Sequence, residues 1–351
     1  MKTISKKLYI WYNKNNFLFP WRQNNNSYDI WISEIMLQQT QVNTVISYYN
    51  KWMKQLPSIE KVAKADIEII LKLWEGLGYY KRAHNIHESA KTIVEKHDAK
   101  IPNNYIDLIE LKGIGDYTAS AILSIAYDQK YPAIDSNLKR VIARLTGISN
   151  SKKIISQSKE FVTRLMHNYK PGDINQSLMD LGREICLPSN PKCYICPIAQ
   201  HCIANKNNKV SLYTYQKPKK IIPTFNISVG IIWNKNKILI SKRKKEGVLG
   251  GLWELPGGKE ELNENSITCL YREINEETGI KIKNPDQIGK IKHQFSHFKI
   301  NLTGYHCFYH SGKAQAHSSE AVKWIFPKQI LDYAFPRATL KLFTLAGLIN
   351  D

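Results

Sequence analysis

Four of the six cysteines in the chain fall within one short stretch and could together bind a metal. They are separated by six, two and five residues, at Cys186, Cys193, Cys196 and Cys202. The first residues lack the composition of a secretory signal, and closely spaced thiols in a reducing cytoplasm favour a metal site over disulfides. Because thiolates bind both zinc and iron–sulfur clusters, residue types alone leave a structural zinc site open. Cys269 and Cys307 stand alone and are predicted to be small core residues.

Two carboxylates, far apart in the sequence, are candidates for acid–base chemistry. Glu34 lies within the apolar run IWISEIMLQQT, where helical spacing alone favours an exposed position on a polar face. If Glu34 instead lies in a partly apolar pocket, its pKa is raised and it can donate a proton near neutral pH. Asp135 precedes a predicted helix in AIDSNLKRV, so an N-cap is the simpler interpretation and a catalytic carboxylate the alternative. Asp29 is the predicted N-cap of the helix that carries Glu34.

The first half also contains residues suited to contact with nucleic acid. Gly113 and Gly115 flank one apolar residue in LKGIGDY, between the predicted helices NYIDLIEL and TASAILSIAY. Such a tight hairpin frees backbone N–H groups at a helix N-terminus, and these can bind a phosphate. Tyr79 is followed by a second tyrosine and two basic residues, which suits base stacking and phosphate contact. Core packing of one tyrosine is an equally good interpretation of that stretch.

The overall charge agrees with a polyanionic partner. The formal net charge is +20 and the isoelectric point is about 9.5, an excess that suggests nucleic acid. A genome rich in A and T, which favours Lys, Asn and Ile codons, is the alternative explanation. At 351 residues the chain is long for one domain, so two or three cores are expected. We see no apolar run long enough for a membrane span.

The second half changes to a strand-like pattern after the basic linker QKPKKIIP, residues 216–223. The segments TFNISVGIIW and KILISKRK alternate like strands and are joined by a predicted hairpin turn at residues 234–236. The stretch GGKEELNENSITCLYREINEETGI then matches the complete Nudix box, beginning at Gly258. Clustered carboxylates of this kind can hold Mg²⁺ against a diphosphate. The candidate ligands are Glu273, Glu276 and Glu277.

Taken together, the motifs of the first half resemble those of the MutY family of adenine DNA glycosylases, within the endonuclease III superfamily. The cysteine spacing is similar to the [4Fe–4S] loop of that family, and the glycine hairpin resembles a helix-hairpin-helix motif. The resemblance implies that Glu34 protonates the adenine ring and that Asp135 supports the sugar cation, with Tyr117 and Asn137 in the same active site. It also implies a set of residues that contact DNA: Arg22, Leu37, Gln38, Gln39, Thr40, Tyr79, Gly113 and Gly115.

One position separates two branches of this superfamily. Endonuclease III-like enzymes have a lysine after the hairpin, where this chain has Tyr117. A lysine forms a Schiff base with the sugar and permits strand cleavage, whereas a phenol does not. The resemblance therefore implies a monofunctional glycosylase, with the nearby Lys112 as a confounding residue. Two departures from the family pattern are Ser136, where glycine is usual, and Asp116 at the phosphate-binding turn; serine is costly if the site needs a positive φ.

The resemblance extends to the C-terminal half. MutY proteins have a Nudix-like domain that reads the 8-oxoguanine opposite adenine, and its box is usually eroded, whereas here it is intact. We favour a retained helix scaffold without hydrolysis; residual Mg²⁺-dependent hydrolysis of an oxidised nucleoside triphosphate is the alternative. The stretch HQFSHFKI resembles the family's lesion-reading loop. The residues predicted to read the lesion are Phe295, Ser296 and His297.

We therefore predict a multidomain protein with an all-α helix-hairpin-helix glycosylase and an α+β Nudix-like domain. Residues 1–215 form the catalytic region, and residues 224–351 form the lesion-recognition domain. Within the catalytic region, a six-helix barrel spans about 29–133, and the N-terminal helix joins 134–215 in the iron–sulfur domain. The expected function is excision of adenine mispaired with 8-oxoguanine or guanine in duplex DNA, by a cytoplasmic, bacterial-type monomer. The alternatives are a bifunctional glycosylase/lyase and a DNA-tethered Nudix pyrophosphatase.

Overall fold

The computed structural model describes residues 1–15, 17–148, 154–213, 222–295 and 297–350. The described residues up to Tyr213 form helices, and those from 222 onwards form strands with two α-helices and a 3₁₀ segment. This arrangement confirms the predicted fold class, a helical N-terminal region followed by an α+β region. By contact, the chain divides into one unit of Met1–Lys64 and Asn85–Pro218 and a second of Ala65–His84 and Lys219–Asp351.

Twelve α-helices precede the first strand among the described residues. Their bounds are α1 Lys2–Asn15, α2 Ser27–Leu37, α3 Val42–Gln55, α4 Ile59–Lys64, α5 Ile67–Leu73, α6 Lys81–Lys96, α7 Tyr105–Glu110, α8 Asp116–Ala126, α9 Ser136–Thr146, α10 Ile154–Leu165, α11 Pro171–Glu184 and α12 Ile203–Lys206. Short 3₁₀ segments lie between them, including one at Pro20–Arg22 and two within the cysteine loop, at Cys193–Ile195 and Ala199–His201.

Helix α2 begins earlier than the sequence suggested, and the prediction that Asp29 is its N-cap is wrong. Asn26 caps the helix, with its side chain accepting hydrogen bonds from the N–H groups of Tyr28 and Asp29. Asp29 lies in the first turn, where a carboxylate interacts favourably with the helix dipole. Two polar residues, Asn26 and Asp29, precede the apolar run, and spacing alone does not decide which of them is the cap.

The two glycines of the predicted hairpin lie between α7 and α8, and their backbones differ. Gly113 has φ +82°, and a Cβ there would lie 2.9 Å from Asn85 Cβ, so both backbone strain and space favour glycine. Gly115 is extended, with φ −101° and ψ −177°, and is the N-cap of α8. The hairpin therefore joins two helices as predicted.

A core of apolar side chains joins α1, α9, α10 and α11 in the first unit. Helix α9 contributes Leu138, Val141, Ile142 and Leu145, which are spaced for one helical face. Three of the four clustered cysteines pack against this core: Cys186, Cys196 and Cys202. The cysteine loop is therefore packed against the same core as α9, the helix that Asp135 caps.

The second unit contains a mixed seven-stranded sheet. Its strands are β1 Thr224–Asn234, β2 Lys237–Lys242, β3 Trp253–Glu254, β4 Gly257–Lys259, β5 Ile280–Gln294, β6 Lys299–Gly312 and β7 Ala321–Ile325. The main path runs β3-β2-β1-β6-β5, with β4 paired to β1 and β7 paired to β2. Strands β1 and β6 are parallel, and the other pairs are antiparallel.

Two apolar cores cover the sheet of the second unit. One contains residues of α14 (Arg337–Leu345), and the other contains residues of α13 (Ser266–Thr278). Cys269 and Cys307 are fully buried, which confirms the prediction that they are core residues. The predicted turn at 234–236 is also confirmed, because it joins β1 to β2 with Lys235 at φ +55°.

Residues 65–84 pack on the C-terminal part of the chain within the second unit. Lys72 Nζ donates to the carbonyl of Tyr333 at 2.9 Å, and Glu75 accepts from the N–H of Phe335 at 2.8 Å. Lys242 forms an ion pair with Glu68 at 3.0 Å. This segment, which includes α5, is therefore held by bonds to residues that come some 170 to 260 positions later.

Candidate active site

A cavity of about 610 Å³ lies in the first unit and brings together residues from five separate stretches of the chain. The lining includes Glu34 from α2, Tyr117 from α8 and Asp135 at the start of α9. Its size is within the range of pockets that enclose a small organic ligand. The remaining wall is partly aromatic and partly charged: Phe17, Phe19, Trp21, Arg22, Ile30, Ser33, Leu37, Thr40, Gln41, Val42, Asn43, Ile125, Asn137, Gln176, Met179, Asp180, Arg183 and Glu184.

Glu34 is buried rather than exposed on a polar helix face. Glu34 is 6% exposed, and its Oε2 atom has no hydrogen-bond partner. Burial raises the pKa of Glu34 to about 7, and nearby Asp135 raises it further, while a hydrogen bond from Tyr117 and the charge of Arg22 act in the opposite direction. A carboxyl group in this state is half protonated near neutral pH and can donate a proton.

Asp135 is both an N-cap and a cavity residue, so the two interpretations of its position are compatible. One oxygen accepts a hydrogen bond from the N–H of Leu138 at 2.6 Å. Burial raises the pKa of Asp135, whereas bonds from Leu138 and Asn137 and the charge of Arg140 oppose that rise by stabilising the carboxylate. The helix terminus thus stabilises the ionised form of Asp135. Glu34 has no such stabilisation from a helix terminus.

Tyr117 and Asn137 complete the predicted catalytic set in the same cavity. Burial and the neighbouring carboxyl groups raise the pKa of Tyr117, so the phenol stays protonated and can donate to Glu34. Asn137 accepts a hydrogen bond from Arg140 Nη2 at 3.0 Å. Ser136 is the first residue of α9, and its backbone has no positive φ, so serine carries no strain there.

Arg22 is a predicted DNA contact that lines the cavity. Its guanidinium forms a two-pronged ion pair with Asp180, with Nη1 to Oδ2 at 2.6 Å and Nη2 to Oδ1 at 3.2 Å. Asp180 is almost completely buried and also pairs with Arg183 at 3.0 Å. Asp180 was not predicted from the sequence, where a single acidic residue in an amphipathic helix gives no signal.

Two more residues of α11 shape the site and were also missed. Asn175 is buried, and its side chain bonds the N–H of Ala133, the carbonyl of Tyr131 and Ser124 Oγ, at 3.2, 2.9 and 2.7 Å. These bonds fix the segment that leads into Asp135. Gly182 allows the start of α9 to approach α11, because a Cβ there would lie 2.9 Å from Asn137 Cβ.

The end of α2 carries four of the other predicted DNA contacts. Leu37 and Thr40 line the cavity, and Gln38 Nε2 donates to Thr118 Oγ1 at 3.2 Å. Gln39 is exposed and has a left-handed backbone with φ +57°. The chain therefore leaves the helix at this point and presents Gln39 to solvent beside the cavity mouth.

In the second unit, the two adjacent tyrosines have different surroundings. Tyr80 is buried, and its hydroxyl accepts from the N–H of Gly76 at 3.0 Å, so it is the core residue of the pair. Tyr79 is half-buried with φ +49°, and the Arg82 guanidinium lies 5.6 Å from its ring centroid. Tyr79 is thus the less buried of the two tyrosines.

The four clustered cysteines are free and lie close enough to affect one another. Burial raises the pKa of the Cys196 thiol to about 12, and the other three thiols add to the rise. Buried Arg144 donates to Cys186 Sγ at 3.3 Å and to the carbonyls of Leu187 and Pro188. Within the described residues, no three His, Cys, Asp or Glu side chains are already arranged as a metal site. A four-thiol donor set beside a buried cation nevertheless fits an anionic, thiolate-ligated group.

The carboxylates of the Nudix box are bound by an arginine of the same helix. Arg272 pairs with Glu264 at 2.7 Å, Glu273 at 2.9 Å and Glu276 at 3.2 Å. Glu277 instead accepts from the N–H of Gly257 at 3.1 Å. The three predicted Mg²⁺ ligands are therefore not brought together around a shared space.

Of the predicted lesion-reading residues, Ser296 lies outside the described residues. The ring of Phe295 stacks on Phe298 with centroids 4.6 Å apart, and its N–H donates to the carbonyl of Phe298 at 2.8 Å. His297 is exposed in the turn between β5 and β6.

No described α-helix has the length and apolar character of a membrane span.

Comparison with known proteins gives matches to both halves of the chain. Residues 32–165 match the family model described as HhH-GPD superfamily base excision DNA repair protein, and residues 228–345 match that described as NUDIX domain. The adenine DNA glycosylase of Buchnera aphidicola subsp. Baizongia pistaciae (strain Bp) is 40% identical over 288 residues, covering 81% of this chain and 79% of the relative. The adenine DNA glycosylase of Buchnera aphidicola subsp. Schizaphis graminum (strain Sg) is 34% identical, and the match covers 97% of this chain and 98% of the relative.

Among solved structures, a thermostable thymine-DNA glycosylase superposes on the helical part. The TM-score is 0.54 with 28% identity, and the match covers 59% of this chain and 96% of that one. The similarity to glycosylases is therefore seen in fold as well as in sequence.

Proposed function

The chain belongs to the adenine DNA glycosylase family, and on that basis we propose that it hydrolyses the N-glycosidic bond of adenine mispaired with 8-oxoguanine or guanine in duplex DNA. The observation that carries this proposal is the placement of two unlike carboxyl groups, Glu34 and Asp135, on one nucleoside-sized cavity. Environments that separate the proton affinities of two carboxyl groups are typical of acid–base sites.

Glu34 acts as the general acid. Glu34 lines a cavity in which the extruded adenine replaces water, and its proton passes to the adenine ring as the glycosidic bond breaks. Tyr117 acts on the carboxyl group of Glu34 from the same cavity, and its hydroxyl donates to Met179 Sδ at 3.8 Å. A protonated adenine is a better leaving group, because it departs as a neutral base.

Asp135 stabilises the positive charge that develops on the sugar. The transition state of glycoside cleavage resembles an oxocarbenium ion, and a carboxylate beside it lowers the barrier or captures the cation covalently. Water then adds to the sugar carbon and leaves an abasic site. Asn175 and Gly182 contribute by fixing the start of α9, from which Asp135 and Asn137 project.

We propose a monofunctional glycosylase rather than a lyase. No lysine is present among the described residues that line the cavity, and Tyr117 occupies the position that would need one. Lys112, the confounding residue, pairs with Glu88. A Schiff base with the sugar therefore has no amine available at the cavity wall.

The DNA contacts divide into backbone and base contacts. The hairpin of Gly113 and Gly115 offers the N-terminal N–H groups of α8 to a phosphate. Gln39 and Tyr79, both with left-handed backbones, fill the space that the extruded nucleotide leaves in the duplex. The neighbours of Gln39, namely Leu37, Gln38 and Thr40, support it in this position. Arg22 contacts the extruded nucleotide.

The C-terminal domain reads the base opposite adenine through Phe295, Ser296 and His297. Phe295 offers an aromatic ring, and His297 is exposed in the same turn. We keep the domain boundaries predicted above, with a linker at 216–223. The protein is expected to work as a cytoplasmic monomer on double-stranded DNA.

Cys186, Cys193, Cys196 and Cys202 would hold a [4Fe–4S] cluster. When bound, the cluster supplies four metal–thiolate links that brace the loop against α9, and the loop offers basic residues to phosphates. Visible absorbance with iron and sulfide analysis of the purified protein tests this assignment. Zinc in place of iron would contradict it.

The active-site assignment is tested with Asp135→Asn. Single-turnover adenine release is measured on duplexes with A:8-oxoguanine, A:G, A:T and thymine glycol, with and without added base to cleave abasic sites. We expect release from the first two duplexes only, nicking only after base treatment, and a loss of about 10²–10³-fold in the variant with duplex binding retained. Unchanged excision by Asp135→Asn would refute the site, and nicking without base would favour the lyase.

A further inference from the structure

The ion pair between Arg22 and Asp180 lies in the wall of the active-site cavity, yet Asp180 has no part in the mechanism above. Asp180 is 1% exposed and comes from α11, whereas Arg22 lies 158 positions earlier in a 3₁₀ segment. Both carboxylate oxygens accept from the guanidinium, and Arg183 binds Oδ1 as well. One buried carboxylate thus holds two arginines at the cavity wall.

The charged groups around Glu34 come from four elements. Arg22 lies on the 3₁₀ segment, Tyr117 on α8 and Asp135 at the start of α9. From α11, Asp180, Arg183 and Glu184 line the same cavity. Of the cations among these, Arg22 acts on Glu34 directly, and it does so in the direction that favours the ionised form.

The Nη1–Nη2 edge of a guanidinium can form a two-pronged pair with only one carboxylate at a time. In this structure Asp180 occupies that geometry on Arg22, and Glu34 keeps one oxygen without a hydrogen-bond partner. An unpaired buried guanidinium would be strongly unfavourable, so Arg22 released from Asp180 would seek the nearest other carboxyl groups. Glu34 and Asp135 line the same wall.

We propose that Asp180 is a positioning residue that anchors Arg22 and thereby prevents the guanidinium from pairing with the catalytic acid Glu34. Arg22 stays available at the cavity wall for the extruded nucleotide, and Glu34 keeps its proton for the adenine ring. This inference deepens the proposed function and rests on it.

The consequence is a specific dependence of excision on pH. A general acid works in its protonated form, so the rate of the wild-type protein falls as the pH rises through the pKa of Glu34, about 7. With Asp180→Asn, Arg22 pairs with Glu34 and stabilises its ionised form, so this alkaline limb moves to lower pH. Each unit of displacement lowers the rate at pH 8 about tenfold, while the rates at low pH converge.

The experiment measures single-turnover adenine release from an A:8-oxoguanine duplex between pH 5 and 9, for the full-length protein. Asp180→Asn is compared with Asp180→Glu, which keeps the charge, and with Asp173→Asn, a matched change on the same helix outside the cavity lining. We expect the alkaline limb of the pH–rate profile to move to lower pH only for Asp180→Asn. A limb that stays in place for Asp180→Asn, or that moves equally for Asp173→Asn, would overturn the proposal.

The double variant Arg22→Gln, Asp180→Asn separates this role from a merely structural one. Removing the guanidinium should return the alkaline limb to at least its wild-type position, even though the maximal rate stays low. If Asp180→Asn does not fold, the single variant Arg22→Gln tests the proposal. Its alkaline limb should move to higher pH, because the charge that favours ionised Glu34 is gone. An alkaline limb that does not move would contradict the proposal. Wild-type protein that releases no adenine would instead refute the proposed function itself.

Discussion

Two glutamates, one in each unit, have raised pKa values in different surroundings: Glu34 is buried and Glu277 is half-buried. Burial raises the pKa of Glu34 to about 7, and its Oε2 has no hydrogen-bond partner at the cavity wall. Burial raises the pKa of Glu277 to about 8, and its Oε2 accepts from the N–H of Gly257. Glu34 lines a cavity, whereas the carboxyl group of Glu277 takes part in a backbone contact.

The arginines that act on the two glutamates are each bound by another carboxylate. In the first unit Arg22 is bound by Asp180, which leaves Glu34 without a strong cationic partner. In the second unit the charge of Arg243 acts on Glu277, and Arg243 is paired with Glu254. A raised pKa therefore identifies a desolvated carboxyl group, and the cavity beside Glu34 distinguishes it as a possible acid.

The largest expected effect compares Glu34→Gln with Glu277→Gln in adenine excision. Loss of a general acid lowers rates by about 10²–10⁴-fold, and we expect a loss in this range for Glu34→Gln at neutral pH. Glu277→Gln should retain excision. Single-turnover release from an A:8-oxoguanine duplex measures both, and equal losses would show that the two carboxyl groups are not functionally distinct.

The ion pairs of the two units should differ in their contribution to stability. Asp180→Ala leaves buried Arg22 without its partner, which typically costs about 3–5 kcal/mol of unfolding free energy. Glu68→Ala breaks a pair in which the glutamate side chain is 37% exposed, which typically costs about 0–1 kcal/mol. Urea unfolding at pH 7 measures both, and a Glu68→Ala cost as large as that of Asp180→Ala would contradict the contrast.

The pH dependence of stability tests both raised pKa values. A carboxyl group whose pKa is higher in the folded state than its ordinary 4.5 makes the folded protein less stable as the pH rises between the two values. For Glu34 the window runs from about 4.5 to about 7, and the full penalty above it is about 3 kcal/mol.

Glu34→Gln should therefore gain stability relative to wild type between pH 5 and pH 8, and Glu277→Gln should do so over a window that extends to about 8. Urea unfolding at several pH values measures the variant-minus-wild-type difference, which removes any constant cost of the amide. A difference that does not change with pH would mean that the group titrates normally in the folded protein.

The smallest expected effect concerns the Nudix box. Because Arg272 holds Glu273 and Glu276, we expect no release of pyrophosphate from 8-oxo-dGTP with Mg²⁺ above the level of a Glu277→Gln control. Turnover that depends on Glu277 would show that the arginine gives up its carboxylates to a metal, and would support the pyrophosphatase alternative.

Much of the fold followed from local pattern. The change from helical to alternating apolar spacing after residue 223 predicted the helical and α+β regions, and the glycines of LKGIGDY predicted a hairpin between two helices. These predictions succeeded because periodicity and turn residues act over a few neighbouring positions. The cap of α2 was misplaced because two candidates three positions apart, Asn26 and Asp29, satisfy the same local rule.

The candidate site was only partly accessible to such reasoning. The motifs identified Glu34 and Asp135, but residue spacing favoured an exposed Glu34, and its burial became visible only when α2, α8, α9 and α11 packed together. Asp180, Asn175 and Gly182 were missed altogether, since each acts through a residue that is distant in sequence.

The sequence by itself determined which residue types are present, the period of each element and the family to which the chain belongs. Only the tertiary structure decided that Glu34 is buried, that Arg22 is held by Asp180, and that Arg272 holds the Nudix carboxylates. The physical reason is that the pKa of a side chain depends on desolvation and on charges within a few ångströms. For Arg22 and Asp180, those charges come from positions 158 residues apart.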